Sequence, residues 1–158
     1  MMKIEYVKGD ATAPAGDGQK IIVHVCNDLG KWGKGFVLAI SRRWKTPEKA
    51  YRAAYAGASQ ALALGDVQFV AVDDSITVAN MIGQHGIRRQ NSKAVPPIRY
   101  PAIQQGLQTI ADYAVEHQAS IHMPRIGCGL AGGEWEEIEA LINETLLAAG
   151  VSVVVYDY

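Results

Sequence analysis

The chain has 158 residues, 49% hydrophobic and 20% charged, with a formal net charge of −1. That balance suits a globular chain with room for one domain over residues 1–158 and a sizeable core, and it carries no electrostatic footprint for nucleic acid. No apolar run is long enough to span a bilayer, and Met1-Met-Lys-Ile-Glu-Tyr6 has neither the apolar stretch nor the small-residue cleavage site of a signal peptide.

Ile4 to Lys8 reads as a short alternating strand that ends in the turn-rich segment Gly9-Asp10-Ala-Thr-Ala-Pro14. Ile21 to Cys26 is nearly all apolar, as expected for a central strand buried on both faces. Asn27-Asp-Leu leads into the glycine loop Gly30-Lys-Trp-Gly-Lys-Gly35. Phe36 to Trp44 follows as a short buried helix whose last turn carries Arg42 and Arg43, which suit a C-terminus. Thr46-Pro47-Glu48 signals a second helix, with an N-cap hydroxyl, a proline at the first helical position and an acid in the first turn. Tyr51, Ala54, Ala58, Ala61 and Leu62 continue it at helical spacing, and Gly65-Asp66 stops it.

Val67 to Val72 and Ile76 to Ile82 are expected to pair as a hairpin through Asp73-Asp-Ser75. A long irregular stretch, Gly83 to Pro97, comes next, of the kind that is usually functional or mobile. Ile103, Leu107, Ile110, Ala111, Ala114 and Val115 mark a third helix, and Ser120 to Met123 a further strand. Trp135, Ile138, Leu141, Ile142, Thr145 and Leu146 form one face of the last helix, which Glu134, Glu136 and Glu137 start and Gly150 caps. Val151 to Tyr156 is the closing strand. The two cysteines, Cys26 and Cys128, belong to no C-x-x-C pair or Cys/His cluster, so no metal site is expected and a reducing cytoplasm is the simplest compartment.

Strands and helices alternate apart from one hairpin, which predicts an α/β fold with a mixed sheet covered by helices on both faces. Ligands in such folds gather at the carboxyl ends of the strands. The segment His24 to Asp28, both glycine loops and the long stretch all follow strand ends and are expected to line one crevice.

Met123-Pro-Arg-Ile-Gly-Cys-Gly-Leu-Ala-Gly-Gly133 sits between a strand and a helix, the order that makes an anion cradle from backbone N–H groups and a helix N-terminus. It matches G-x-G-x-x-G but stands near the end of the chain, whereas a nicotinamide-binding domain has that loop near its start. Gly30 and Gly35 have the spacing of a P-loop, but Phe36 and Val37 stand where lysine and serine or threonine are required, which argues against an NTPase.

Tyr6-Val-Lys-Gly-Asp10, Ile22-Val-His-Val-Cys-Asn27, Gly30-Lys-Trp-Gly-Lys-Gly-Phe36, Met123-Pro-Arg-Ile-Gly-Cys-Gly-Leu130 and the terminal Val155-Tyr156 together resemble the macrodomain family almost end to end. The likeness is strongest to the branch of terminal ADP-ribose protein glycohydrolase and ADP-ribose 1''-phosphate phosphatase. It implies a three-layer α/β/α sandwich with about six strands, and a crevice for ADP-ribose or an ADP-ribosylated protein or metabolite; with composition and the lack of a metal-ligand set beside it, no cofactor, metal, membrane or nucleic-acid partner is expected. It also implies that Asp10, with Ala11 beside it, meets the adenine, and that Tyr156 and Tyr158 flank it. Asn27 would meet the distal ribose, Gly33, Lys34, Gly35 and Phe36 the ribose and phosphates, and Arg125, Ile126, Gly127, Cys128, Gly129, Leu130 and Ala131 the diphosphate.

The glycohydrolase branch also carries a lysine nucleophile, whose place here is Gly83 or Gln84, and an aspartate, whose place is Ala131. The phosphatase branch relies on a histidine two residues before cysteine, and His24 stands there. His24 and Asn27 are thus the candidate catalytic residues, acting on a bond at the terminal ribose. The alternative is a module that binds ADP-ribose without turning it over. For several residues a plain reading stands beside the functional one: His24 as a core histidine, Asp10 closing a turn, Trp32 and both cysteines as packing groups. Lys34 and Arg125 could equally be solvated charges, and for His85 and Arg88-Arg89, which could reach a substrate over the distal ribose, a solvated mobile loop is the plainer reading.

Overall fold

The computed structural model describes residues 2–57, 61–87, 95–129 and 131–158. Six strands form one sheet: β1 (Glu5–Lys8), β2 (Gln19–Asn27), β3 (Val67–Ala71), β4 (Ile76–Gln84), β5 (Ala119–Met123) and β6 (Val153–Asp157), in the order β1-β6-β5-β2-β4-β3. Only β3 runs antiparallel, paired to β4 through the expected hairpin. Asp73 builds that turn by accepting the N–H groups of Ser75 and Ile76, each at 2.8 Å.

The alternation of β2 and its neighbours sends side chains to opposite faces. Ile21, Val23, Ala79, Met81, Ile121, Met123, Val153 and Val155 pack against α3 (Tyr100–His117) and α4 (Trp135–Ile142), which continues through a wider π-type turn over Asn143–Leu147. Gly106 allows α3 to lie close to the sheet, since a Cβ there would stand 2.5 Å from the Met81 side chain. On the other face, Ile22, Cys26, Val78 and Ile82 meet Trp32, Val37, Ile40 and Tyr51 of the segment carrying α1 (Phe36–Arg43) and α2 (Thr46–Ala56). The result is the expected three-layer α/β/α sandwich. Beyond α1 and α2, the segment after β1 lies over this face at β6: Ala11 and Thr12 are buried, and the Ala15 N–H donates to the Tyr156 hydroxyl at 3.0 Å.

β2 is longer than expected at both ends, β4 runs on to Gln84, two residues into the expected irregular stretch, β6 begins at Val153 rather than Val151, and both ends of α2 differ from expectation. Thr46 is the first helical residue rather than the cap, and no side chain caps α2. The helix stops at Ala56, where Gly57 turns extended (φ −95, ψ 157), instead of running to Gly65-Asp66. The Tyr55 hydroxyl then donates to the Leu62 carbonyl at 2.6 Å, and Leu62 and Leu64 pack on the α1/α2 core from a returning loop. Tertiary packing takes these apolar groups out of the helical pattern; Ala58 lies outside the described residues.

Candidate functional site: two glycine turns at one sheet edge

Five strands run parallel, so Lys8, Asn27, Gln84, Met123 and Asp157 all end at one edge of the sheet. β2 and β5 are direct neighbours, in register from Gln19 against Ala119 to Ile22 against His122. Neighbouring strands lie about 4.8 Å apart, so the glycine turns that follow them stand over adjacent strands, with β2 running on to Asn27 past the end of β5 at Met123.

The upstream turn is folded by Asn27. Its Oδ1 accepts from the N–H groups of Leu29 (2.9 Å) and Lys31 (3.3 Å) and from the Tyr51 hydroxyl (2.8 Å), while Nδ2 donates to the Lys31 carbonyl at 2.6 Å. The Asn27 amide is buried and spent on the backbone, so it shapes the turn rather than reaching out of it. Trp32 is likewise buried, its Nε1 donating to Ser41 Oγ at 2.7 Å, which makes it a packing group. Gly33, Lys34 and Gly35 are exposed. Gly35 has φ 83 and ψ −135, a conformation that demands glycine, and no side chain caps α1 after it. The first N–H groups of α1, beginning at Phe36, are left for an external acceptor.

The downstream turn is closed by the Gly133 N–H on the Gly127 carbonyl (2.7 Å) and the Gly132 N–H on the Gly129 carbonyl (3.0 Å), and the Ala131 carbonyl accepts from Ile98 N–H at 3.1 Å. Among the described residues, the N–H groups of Gly127, Cys128 and Gly129 have no backbone acceptor; Leu130 lies outside the described residues. Ile126 and Ala131 are buried and anchor the two ends of the turn. Glu134, Glu136 and Glu137 stand at the start of α4, so the turn offers amide donors without much help from that helix dipole.

His24 lies beneath the upstream turn. Its Nε2 donates to Asn80 Oδ1 at 2.5 Å, and the Asn80 amide is fixed in that sense because its Nδ2 donates to the Gln68 Oε1 (3.0 Å) and the Pro47 carbonyl (3.2 Å). The ring packs edge-on against Trp32, with centroids 5.4 Å apart, and lies tilted toward Phe36, with centroids 6.1 Å apart. Burial pushes the imidazole down to about 4, with the Asn80 bond opposing. A neutral ring, 1% exposed, with its proton committed to Asn80, is a core group that braces the turn. The catalytic role expected of His24 needs a face open to substrate, which this buried ring lacks.

No protein-family model matches the chain. Its structure superposes on that of a macrodomain protein from Streptomyces coelicolor with a TM-score of 0.86, at 54% identity and with 99% of each chain covered. The chain belongs to the macrodomain family. A protein of unknown function from Bacteroides thetaiotaomicron is also similar, at 57% identity, TM-score 0.94 and 99% coverage of both chains. Among curated proteins, 97% of this macrodomain aligns at 35% identity with mouse chromodomain-helicase-DNA-binding protein 1-like, but it spans only 17% of that protein, and 16% of the zebrafish (Danio rerio) one. Two more distant relatives match over most of both chains: an ADP-ribose 1''-phosphate phosphatase from Lodderomyces elongisporus at 25% identity and human ADP-ribose glycohydrolase OARD1 at 22%.

The remaining expected residues of the macrodomain divide by location. Asp10 Oδ1 accepts from Thr12 N–H (2.8 Å) and Thr12 Oγ1 (2.7 Å), and its other oxygen lies 3.8 Å from Arg43. Burial works against ionisation of Asp10, but those bonds and the nearby arginines hold its carboxyl below the usual range. Tyr156 is buried, its hydroxyl joined to Ala15 and, at 2.7 Å, to His122 Nδ1, whereas Tyr158 is fully exposed at the end of the sheet. Arg125 makes a two-point pair with Asp157 (2.7 and 3.1 Å) and lies over the Tyr6 and Trp135 rings, so its charge is held on the β1/β6 side rather than over the turn. Cys26 and Cys128 pack against opposite faces of the sheet.

Neither place considered for the branch lysine can supply an amine. A Cβ on Gly83 would stand 2.2 Å from Ile103 Cδ1, and the Gln84 side chain is turned to the Gly86 carbonyl at 2.9 Å. Asp28 and His85 both fall in segments expected at the crevice, but their pairing had no sequence signal; Arg88 and Arg89 lie outside the described residues. Asp28 joins the start of the long stretch to the upstream turn, accepting His85 Nδ1 at 2.7 Å and Gly86 N–H at 2.8 Å. An acid after a strand end is common, and its partner comes from a different strand.

Proposed function

We propose that this macrodomain binds ADP-ribose along the carboxyl edge of its parallel strands and hydrolyses a bond at the terminal ribose, in a protein-linked ADP-ribosyl ester or in ADP-ribose 1''-phosphate. The observation that carries the reading is the pairing of β2 with β5, which sets the two glycine turns over adjacent strands at the same edge of the sheet. The turn at Gly33, Lys34, Gly35 and Phe36 and the amides of Ile126, Gly127, Cys128, Gly129 and Ala131 then grip the diphosphate from two sides. Asp10, with Ala11 beneath it, keeps one carboxylate oxygen clear of Thr12 for an adenine amino group. Tyr156 supports that end from below. Asn27 and His24 hold the turn that faces the distal ribose. The names of the OARD1 and phosphatase relatives support the substrate class and the hydrolytic chemistry.

Calorimetry with ADP-ribose, NAD and ADP tests the first half: ADP-ribose binds more tightly than either competitor, and failure to bind it overturns the reading. Incubation with a glutamate-ADP-ribosylated protein and with ADP-ribose 1''-phosphate tests the second. Turnover that survives His24→Ala is expected if His24 only braces the turn.

A second reading, an ADP-ribose-binding module without turnover, is favoured by one observation. Gly83, Gln84 and Ala131 supply neither the amine nor the carboxylate of the glycohydrolase branch. Binding of ADP-ribose with both substrates left intact would establish it.

A further inference from the structure

Asp28 and His85 form a carboxylate–imidazole pair at the same strand edge. Asp28 follows β2 and His85 follows β4, the strand paired beside it. Asp28 Oδ2 accepts from His85 Nδ1 at 2.7 Å, Oδ1 accepts from Gly86 N–H at 2.8 Å, and the Asp28 N–H donates to the Gln84 carbonyl at 3.1 Å. Both carboxylate oxygens are therefore fixed by the turn that carries the imidazole. The Asp28 side chain is 17% exposed and that of His85 63%, so the pair has an inner anchor and an outer ring.

A carboxylate bonded to Nδ1 holds the proton of a neutral ring on that nitrogen and leaves Nε2 as an acceptor. Among the described residues, nothing bonds Nε2. An ordinary surface ion pair is loosely held and contributes little. This one differs in being built into the backbone of both strand ends and in standing one residue beyond Asn27, the clamp of the upstream turn.

We propose that His85 is a catalytic general base for hydrolysis at the terminal ribose, with Asp28 as its positioning residue. This rests on the ADP-ribose reading above. A water molecule gives a proton to His85 Nε2 as its oxygen bonds to the anomeric carbon of an ester-linked ADP-ribosyl group. The bond from that carbon to the ester oxygen breaks and leaves its electron pair on the released carboxylate. The products are ADP-ribose with a 1''-hydroxyl and a free carboxylate, and His85 passes its proton to solvent. Asp28 keeps the ring in the productive tautomer and stabilises the imidazolium. Attack by water activated at the end of β4 takes the place of attack by the branch's lysine nucleophile, without a covalent intermediate.

The test uses the full chain and a protein mono-ADP-ribosylated on glutamate, with single-turnover release of ADP-ribose and calorimetric binding of free ADP-ribose as paired readouts. His85→Gln and His85→Gly are expected to lower the rate by about 10²-fold or more while ADP-ribose affinity is kept. Added imidazole is expected to restore part of the His85→Gly rate, a response that a structural role would not give. Asp28→Asn is expected to slow release without rescue by imidazole. Unchanged turnover in His85→Gln overturns the proposal, as does a wild-type chain that binds ADP-ribose but releases none from the ester. Failure of the wild-type chain to bind ADP-ribose removes the binding reading itself, and this proposal with it.

Discussion

His24 and Asn80 face each other across neighbouring strands, 2.5 Å from Nε2 to Oδ1, at 1% and 0% exposure. Asn80 uses its whole amide, since Nδ2 reaches both Pro47 and Gln68. Asn80→Leu leaves the His24 N–H without an acceptor and is expected to cost about 1–3 kcal/mol, the penalty for an unsatisfied buried donor. Urea unfolding measures it. A variant as stable as the wild type would show that His24 finds another partner.

The two buried histidines predict acid sensitivity. Burial pushes His24 and His122 down to about 4, and Lys20 adds to the effect at His122. The unfolded chain takes up protons on both rings as pH falls below the ordinary value near 6.5, while the folded chain does not until about 4. Stability therefore falls as pH drops through that window, by up to roughly 3 kcal/mol for each ring. Urea midpoints taken at steps from pH 7 to pH 4 check this, and a flat profile between pH 6.5 and pH 5 would contradict it.

The central apolar strand, the hairpin and both glycine turns were legible from local pattern, because burial on two faces and backbone freedom leave direct marks on composition. The roles of polar side chains were not. Asn27 at a strand end suits a ribose hydroxyl as well as its own loop, and only the folded turn shows three donors converging on its oxygen. His24 meets its partner 56 residues away, and Tyr156 meets Ala15 across 141. Arg125 follows a strand end as a phosphate ligand would, yet Asp157 captures it from the neighbouring strand.

Gly133→Ala probes the downstream turn. Its Cβ would stand 2.5 Å from the Gly127 carbonyl oxygen, which is backbone and cannot step aside without opening the turn. ADP-ribose affinity is expected to fall by about tenfold or more, the equivalent of 1.4 kcal/mol. Calorimetry reads this directly, and an unchanged affinity would show that the turn does not hold the diphosphate.

Tyr156→Phe tests the support beneath the first turn. Removing the hydroxyl strips the Ala15 N–H of its acceptor and His122 Nδ1 of its partner. The expected loss is about 1–3 kcal/mol, with faster amide exchange at Ala15. Unchanged exchange there would mean that the segment is held by Thr12 and Arg43 instead, which bond at 2.8 Å.

α1 links those two regions. Phe36 opens it at the upstream turn, and Arg43 closes it against Thr12 and Asp10. Eight residues of helix make a strut about 12 Å long. A displacement at either end of this strut is carried to the other, so the glycine turn before Phe36 and the segment after β1 move as one body.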